Sequence, residues 1–311
     1  MFTLISRLTA LAAIAAIFGF CLLAVPQKAE AAYGRVTLNV GGVKRTATLV
    51  EFERLKKRRR PVIIVLHGGA GGSGAGLRAR RNLGLDAFAR NSGAIVVYPD
   101  AVDGFWGRAK PGEPAPDDAG FIRALATKLI DQGTASRRRI YIAGISGGGM
   151  IAMKIACENS DLFSGAGAFV ANMPAEWAPS CAPSQPLAFM LINGTADPMV
   201  PFNGGLANMP EGPREVLSSE ATVAIFAKAA NCTGQRIQTI VDRDKDDGSR
   251  IVVEHGVGCK MPVEFVRVEG GGHTVPGRRL SGSRGVPVGA QNNDLDAARL
   301  MWDFLLKRIP Q

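Results

Sequence analysis

Arg139-Ile140-Tyr141-Ile142-Ala143-Gly144-Ile145-Ser146-Gly147-Gly148-Gly149 is the stretch on which the reading of this chain turns. Its first half is an apolar run of the kind that forms a strand buried on both faces. Its second half is G-x-S-x-G, and from about Met150 to Glu158 small and apolar residues continue as a helix. A serine between such a strand and such a helix sits on a sharp turn. Glycines on both sides permit that backbone and leave room for the neighbouring elements. The pattern alone is weak, because a glycine-rich phosphate or packing turn can look the same. No Lys follows it, however, as a P-loop would require. The helix N-terminus beneath Ser146 also favours negative charge developing nearby.

Working outward, residues 61–66 (PVIIVL) and 94–98 (AIVVY) are further strands buried on both faces. Residues 35–40 and 46–50 alternate around Gly41-Gly42 and read as a hairpin. Asp117-Asp118 caps an amphipathic helix carrying Phe121, Ile122, Leu125 and Leu129. Residues 187–192 and 263–268 read as strands, 216–230 as a helix, and 294–308 as a closing helix with one broad apolar face. Strands alternating with helices predict an α/β fold, a mostly parallel sheet flanked by helices in a single domain. Residues 278–291, rich in Gly, Arg and Ser without periodicity, read as a flexible surface loop.

The first 31 residues stand apart. Arg7 is followed by an apolar run over 8–25, Pro26 breaks it, and Ala29-Glu30-Ala31 offers small residues where a signal peptidase reads. The expectation is a signal peptide over 1–31, a mature domain over 32–311, a secreted protein (periplasmic or extracellular), and no stable membrane insertion after cleavage. Cys157, Cys181, Cys232 and Cys259 then remain, and an even count in an exported chain implies disulfides, with three pairings open. Pairing neighbours along the chain gives Cys157–Cys181 and Cys232–Cys259. No cysteine or histidine spacing suits a metal, so neither metal nor cofactor is expected.

The net charge of +10 comes from 37 basic and 27 acidic residues, gathered at 56–60, 78–81 and 137–139. Aromatic residues do not interleave with these runs, which argues against nucleic-acid binding. A weak attraction to anionic polysaccharide is the consequence left open.

Ser146 needs a base, and the chain has three histidines. His273 lies in Gly270-Gly271-Gly272-His273-Thr274, a glycine-rich loop after a strand, where an imidazole can reach over the serine. His255 falls within a strand, and His67 reads as a buried structural imidazole. Asp197, in Asn193-Gly194-Thr195-Ala196-Asp197-Pro198, follows a strand between serine and histidine in the chain and can hold the imidazole tautomer. Asp242 and Asp244 compete but fall in a polar hairpin tip. The glycines after His67 offer a backbone N–H near Gly69 that, with that of Gly147, can converge on a developing oxyanion.

Taken in order, Leu66-His67-Gly68, Tyr98-Pro99-Asp100, Asp117-Asp118-Ala119-Gly120-Phe121-Ile122, Gly144-Ile145-Ser146-Gly147-Gly148, Gly194-Thr195-Ala196-Asp197-Pro198 and Gly272-His273-Thr274 resemble the secreted polyhydroxybutyrate depolymerase and feruloyl esterase family. The resemblance runs from about Arg35 to Leu306. It implies an α/β-hydrolase, grouped with carbohydrate esterases, with Ser146, Asp197 and His273 as catalytic triad and a small-molecule or oligomeric ester as substrate. Cys157, in Ala156-Cys157-Glu158, also fits the family pattern. Trp106 falls where the family places an aromatic near the pocket. Val275 departs from it, since family members usually carry Trp two residues after the catalytic histidine; the expectation is an altered acyl-pocket wall. Within this sequence no polymer-binding domain follows the catalytic one, so soluble esters or oligomers are expected over solid polyester. Two other readings use the same features: a prolyl-oligopeptidase-like serine peptidase, and a non-catalytic envelope protein on a hydrolase fold.

Overall fold

In the computed structural model, residues 31–52, 59–69, 74–108, 114–209, 212–279 and 287–309 are described. The expected leader, except Ala31, lies outside them, as do 56–58 of the first basic run, 70–72 of the glycine loop after His67 and part of the 278–291 loop.

The described residues form twelve strands: β1 (Ala31–Val40), β2 (Val43–Phe52), β3 (Arg60–Leu66), β4 (Ile95–Pro99), β5 (Ala135–Ile145), β6 (Gly165–Phe169), β7 (Ala188–Gly194), β8 (Gly205–Met209), β9 (Gly212–Val216), β10 (Gly234–Val241), β11 (Arg250–Val257) and β12 (Val263–Glu269). The helices are α1 (Ala75–Leu83), α2 (Asp86–Ala89), α3 (Asp118–Asp131), α4 (Gly147–Glu158), α5 (Ser219–Ala229) and α6 (Ala297–Asp303). One ten-stranded sheet runs β1-β2-β4-β3-β5-β6-β7-β12-β11-β10, with β8 and β9 as a separate hairpin. The six strands from β4 to β12 pair in parallel, while β1–β2, β2–β4, β12–β11 and β11–β10 are antiparallel. This is the expected mostly parallel sheet.

The apolar runs alternate between two cores. Val62, Ile64 and Leu66 of β3 meet Phe121 and Leu125 of α3, Ile155 of α4 and Phe226 of α5 on one face. Ile63 and Val65 join Leu83 of α1 and Met301 and Trp302 near the C-terminus on the other. Helices on both faces explain why the central strands read as unbroken hydrophobic runs.

Several boundaries differ from the sequence reading. α4 begins at Gly147 rather than Met150, because Ser146 itself is the residue that opens the helix. α5 begins at Ser219, capped by the Ser218 hydroxyl, and Val216 ends β9 instead. α6 begins at Ala297, capped by Asp296, and passes into a wider turn through Arg308. Within the 278–291 loop, Val288 and Ala290 accept hydrogen bonds from the backbone of His273 and Gly272, so this part is docked.

Both cysteine pairs are bonded. Cys157–Cys181 ties the end of α4 to the segment before β7, and Cys232–Cys259 ties the end of α5 to the turn between β11 and β12. Among the described residues, no helix is long and apolar enough to cross a membrane.

Candidate active site

Ser146 stands at the carboxyl end of β5 with φ 53° and ψ −125°, a strained backbone for a residue carrying a Cβ. Its amide donates to Phe169 O at 2.9 Å, which fastens the turn to β6. The glycines around it are sterically required. A Cβ on Gly144 would run into the Gly148 carbonyl, and one on Gly148 into the carbonyls of His67 and Leu66.

His273 reaches the serine from the loop after β12. Its Nε2 lies 3.1 Å from Ser146 Oγ, and its Nδ1 lies 2.7 Å from Asp197 Oδ2. A carboxylate only accepts, so Nδ1 carries the proton and Nε2 is left to accept from the serine hydroxyl. Asp197 Oδ1 accepts the amides of Met199 at 2.8 Å and Val200 at 2.9 Å, which holds the carboxylate in one orientation. The loops carrying acid and base are joined: Thr195 N donates to Val268 O, Ala196 N to Gly271 O, and Gly270 N to Thr195 Oγ1, each at 2.9 Å. Three segments far apart in sequence thus meet in one hydrogen-bonded line. Such a line can draw a proton from the serine and return it to a leaving group.

The competing groups lie elsewhere. Asp242 pairs with Lys245 at 2.8 Å and Asp244 accepts from the Asp246 amide, both in the β10–β11 turn. His255 sits on β11 beside Glu264 at 3.2 Å.

Gly69 N lies 3.7 Å from where a Cβ on Gly147 would stand, so the two peptides face a common space. Among the described residues neither amide has a hydrogen-bond partner. His67 holds the Gly69 side in place. Its Nδ1 is 2.8 Å from Gly68 O, its Nε2 accepts the Ala101 amide at 3.2 Å, and its own carbonyl accepts the Trp106 indole at 2.9 Å. Burial lowers its pKa to about 4, against an opposing pull from the Gly68 carbonyl. This is the structural imidazole the sequence suggested. Because the unfolded chain takes up a proton near pH 6.5 that the folded chain refuses until about pH 4, stability is complete above pH 6.5 and falls through that window. The difference is on the order of 3 kcal/mol. Urea unfolding at pH 7 and pH 4.5 should show a smaller loss for His67→Gln than for the unmodified protein; equal losses would contradict this.

Beside Gly147 opens a cleft of about 90 Å³, lined by Trp106, Met150, Trp177, Met209 and Arg214 among others. Trp106, expected near the pocket, lines it and also anchors His67, the two rings 4.8 Å apart. Val275 does not line this cleft. It is fully buried in the core beside α6, its carbonyl accepting from Gln291. Trp177, Met209 and Arg214 were not expected from sequence. Their cue was the Asn203-Gly204-Gly205 and Gly212-Pro213 turn chemistry around β8 and β9.

A protein named "Putative esterase NocK" from Nocardia uniformis subsp. tsuyamanensis is 31% identical over 264 residues, covering 79% of this chain and 74% of that one. Feruloyl esterase B of Piromyces equi is 27% identical, covering 60% of this chain and 34% of its own. Feruloyl esterase C of Emericella nidulans is 26% identical, covering 62% of each. The chain belongs to the α/β-hydrolase esterase family that includes the feruloyl esterases. Residues 109–178 of this esterase, which contain the Ser146 turn, also match the prolyl oligopeptidase family. Its fold is shared with a thermostable esterase (TM-score 0.55, 16% identity, 89% of this chain and 63% of that one). The acetyl xylan esterase of Aspergillus awamori shares it too (TM-score 0.52, 13% identity, 78% and 95%).

Proposed function

We propose that this esterase works by two-step acyl transfer on Ser146. The hydroxyl attacks an ester carbonyl while His273 takes its proton, and the amides of Gly147 and Gly69 receive the oxyanion. His273 then protonates the leaving alcohol, water hydrolyses the acyl-enzyme by the reverse relay, and Asp197 stays ionised throughout. What carries the reading is the unbroken Ser146–His273–Asp197 line on a strained strand-to-helix turn. Two disulfides suit work in an oxidising compartment outside the cytoplasm.

The acyl group we assign is short, acetyl or 3-hydroxybutyryl rather than feruloyl. The cleft beside Gly147 is narrow and walled by the bulky side chains of Trp106, Met150, Trp177 and Met209, which favours a short acyl chain over an aromatic ring with a propenoyl arm. With 4-nitrophenyl esters, kcat/KM for acetate, butyrate and 3-hydroxybutyrate should exceed that for ferulate at least about tenfold, as overpacking a fixed cavity costs about 1–3 kcal/mol. A preference for ferulate would overturn the short-acyl assignment. The match to the prolyl oligopeptidase family favours a second reading, amide cleavage. Turnover of 4-nitroacetanilide comparable to that of the matching ester would promote it.

A further inference from the structure

Resting on that acyl-transfer reading, we infer that Arg214 is a substrate-recognition residue and that the preferred ester carries a free carboxylate close to its scissile carbonyl. Arg214 lies on β9 and lines the same small cleft as Gly147, the residue that follows the nucleophile. Arg214 and the residue that carries an oxyanion amide thus share one cleft, where a single ester can meet both.

The hairpin that carries it is fastened to the site on two sides. Asn208 N on β8 donates at 2.8 Å to the carbonyl of Met199, whose own amide holds Asp197. On the other side Ala175 N donates to Glu215 O and Leu217 N to Met173 O, each at 2.9 Å, and Pro174 bridges Val216. Along β9 the exposed residues are Pro213 and Glu215, whereas Gly212, Arg214 and Val216 are the more covered set. Arg214 is therefore half-buried at the cleft, on a hairpin held in register with the acid loop.

Among the described residues its charge is only weakly answered. Arg123 makes two 2.9 Å bonds to Asp161, and Arg45 makes one of 2.6 Å to Asp118. The carboxylate paired with Arg214 is that of Glu176, at 3.7 Å beyond hydrogen-bond reach, on a side chain that is mostly exposed. The guanidinium instead lies over the Trp177 ring, 5.0 Å from its centroid. Stacking fixes the plane of an arginine while leaving its in-plane N–H groups for a planar acceptor, and a carboxylate matches that fork in two bonds. Lys154 approaches the same indole at 5.6 Å but is neutralised by Glu158.

The test compares kcat/KM within two matched pairs on the purified protein and on Arg214→Gln and Arg214→Lys. Monomethyl glutarate against dimethyl glutarate places the carboxylate on the acyl side. 4-Acetoxybenzoate against 4-acetoxybenzamide places it on the alcohol side. In one pair the anionic-to-neutral ratio should fall at least about tenfold in Arg214→Gln, chiefly through KM, as befits a lost charged hydrogen bond. Arg214→Lys should recover part of that ratio, and the responding pair identifies the side. Ratios unchanged in both pairs, or anionic and neutral esters falling equally, would overturn the assignment and leave the acyl-transfer reading standing. No Ser146-dependent turnover of any of the four esters would overturn both.

Discussion

Ser146→Ala should lower kcat for 4-nitrophenyl acetate by at least about 10⁴-fold, with little change in KM or in thermal stability. The magnitude follows from the cooperation of the three groups. When nucleophile and base act as a unit, loss of either removes most of the rate, and the remnant comes from oxyanion donors and binding. Among the described residues Ser146 Oγ makes its one side-chain hydrogen bond to His273, so alanine leaves no buried donor stranded on the serine side. The substitution also keeps a Cβ at φ 53°, so the turn gains no new strain. Asp197→Asn should cost less than Ser146→Ala but act on the same step, because the wrong tautomer of His273 would then be favoured. Wild-type turnover in Ser146→Ala, measured by nitrophenol release, would remove Ser146 from the mechanism.

Asp118→Ala should destabilise the fold by about 3–5 kcal/mol, the usual consequence of removing one partner from a buried ion pair. Arg45 on β2 is almost wholly buried and bonds Asp118 Oδ1 at 2.6 Å, with its guanidinium 4.2 Å from the Phe121 ring centroid. Asp118 Oδ2 accepts the Gly107 amide at 2.5 Å, next to Trp106. Burial raises the Asp118 pKa, an effect opposed by the charge of Arg45. Truncating the aspartate therefore strands a cation inside the protein and also loosens the loop that supports His67. For a domain of this size the melting temperature should drop by roughly 10 °C. The double variant Arg45→Met, Asp118→Ala should recover much of that loss, because the uncompensated charge is gone. If the double variant were as unstable as the single one, the penalty would reside in the Gly107 contact.

The parts of this molecule that were legible in the sequence are those where burial on two faces forces a composition. β3, β4, the second half of β5 and β7 are apolar runs, rich in Val, Ile, Leu, Phe, Met and Tyr, because helices cover both of their surfaces. Ser146 and Asp197 could be named because each follows such a strand, and His273 because it follows β12, each in a glycine-rich segment. Gly194, for example, has no room for a Cβ against the Gly271 and Gly272 carbonyls. β6 was missed for the opposite reason. Its sequence, Gly-Ala-Gly-Ala-Phe, is nearly without β-branched residues because Met301 presses on Gly167 and Ile309 on Gly165. β10 was missed because it is an exposed edge strand, with Ile237 and Ile240 facing solvent and polar residues between them.

The cleft wall was illegible for a different reason. Trp177 and Arg214 belong to segments with no shared periodicity, and what joins them is a cluster of buried polar bonds. Asn193 Nδ2 lies within hydrogen-bond reach of Ala171 O at 3.0 Å and of Asn172 Oδ1 and Ser219 Oγ at 2.8 Å, with two protons to share among them, and its Oδ1 accepts the Ala171 amide. Met173 N donates to Thr222 Oγ1. These bonds pin the chain after β6 to β7 and α5 and so set where Trp177 meets the β8–β9 hairpin. Isolated Asn, Ser and Thr residues carry no such message in one dimension.

Fluorophosphonate labelling of the folded protein, with the adduct mapped by peptide mass spectrometry, bears most directly on the activated serine. The account predicts a single stoichiometric adduct on Ser146 that disappears in Ser146→Ala and forms far more slowly in His273→Ala. Folded protein left unlabelled, or an adduct on another residue, would contradict it.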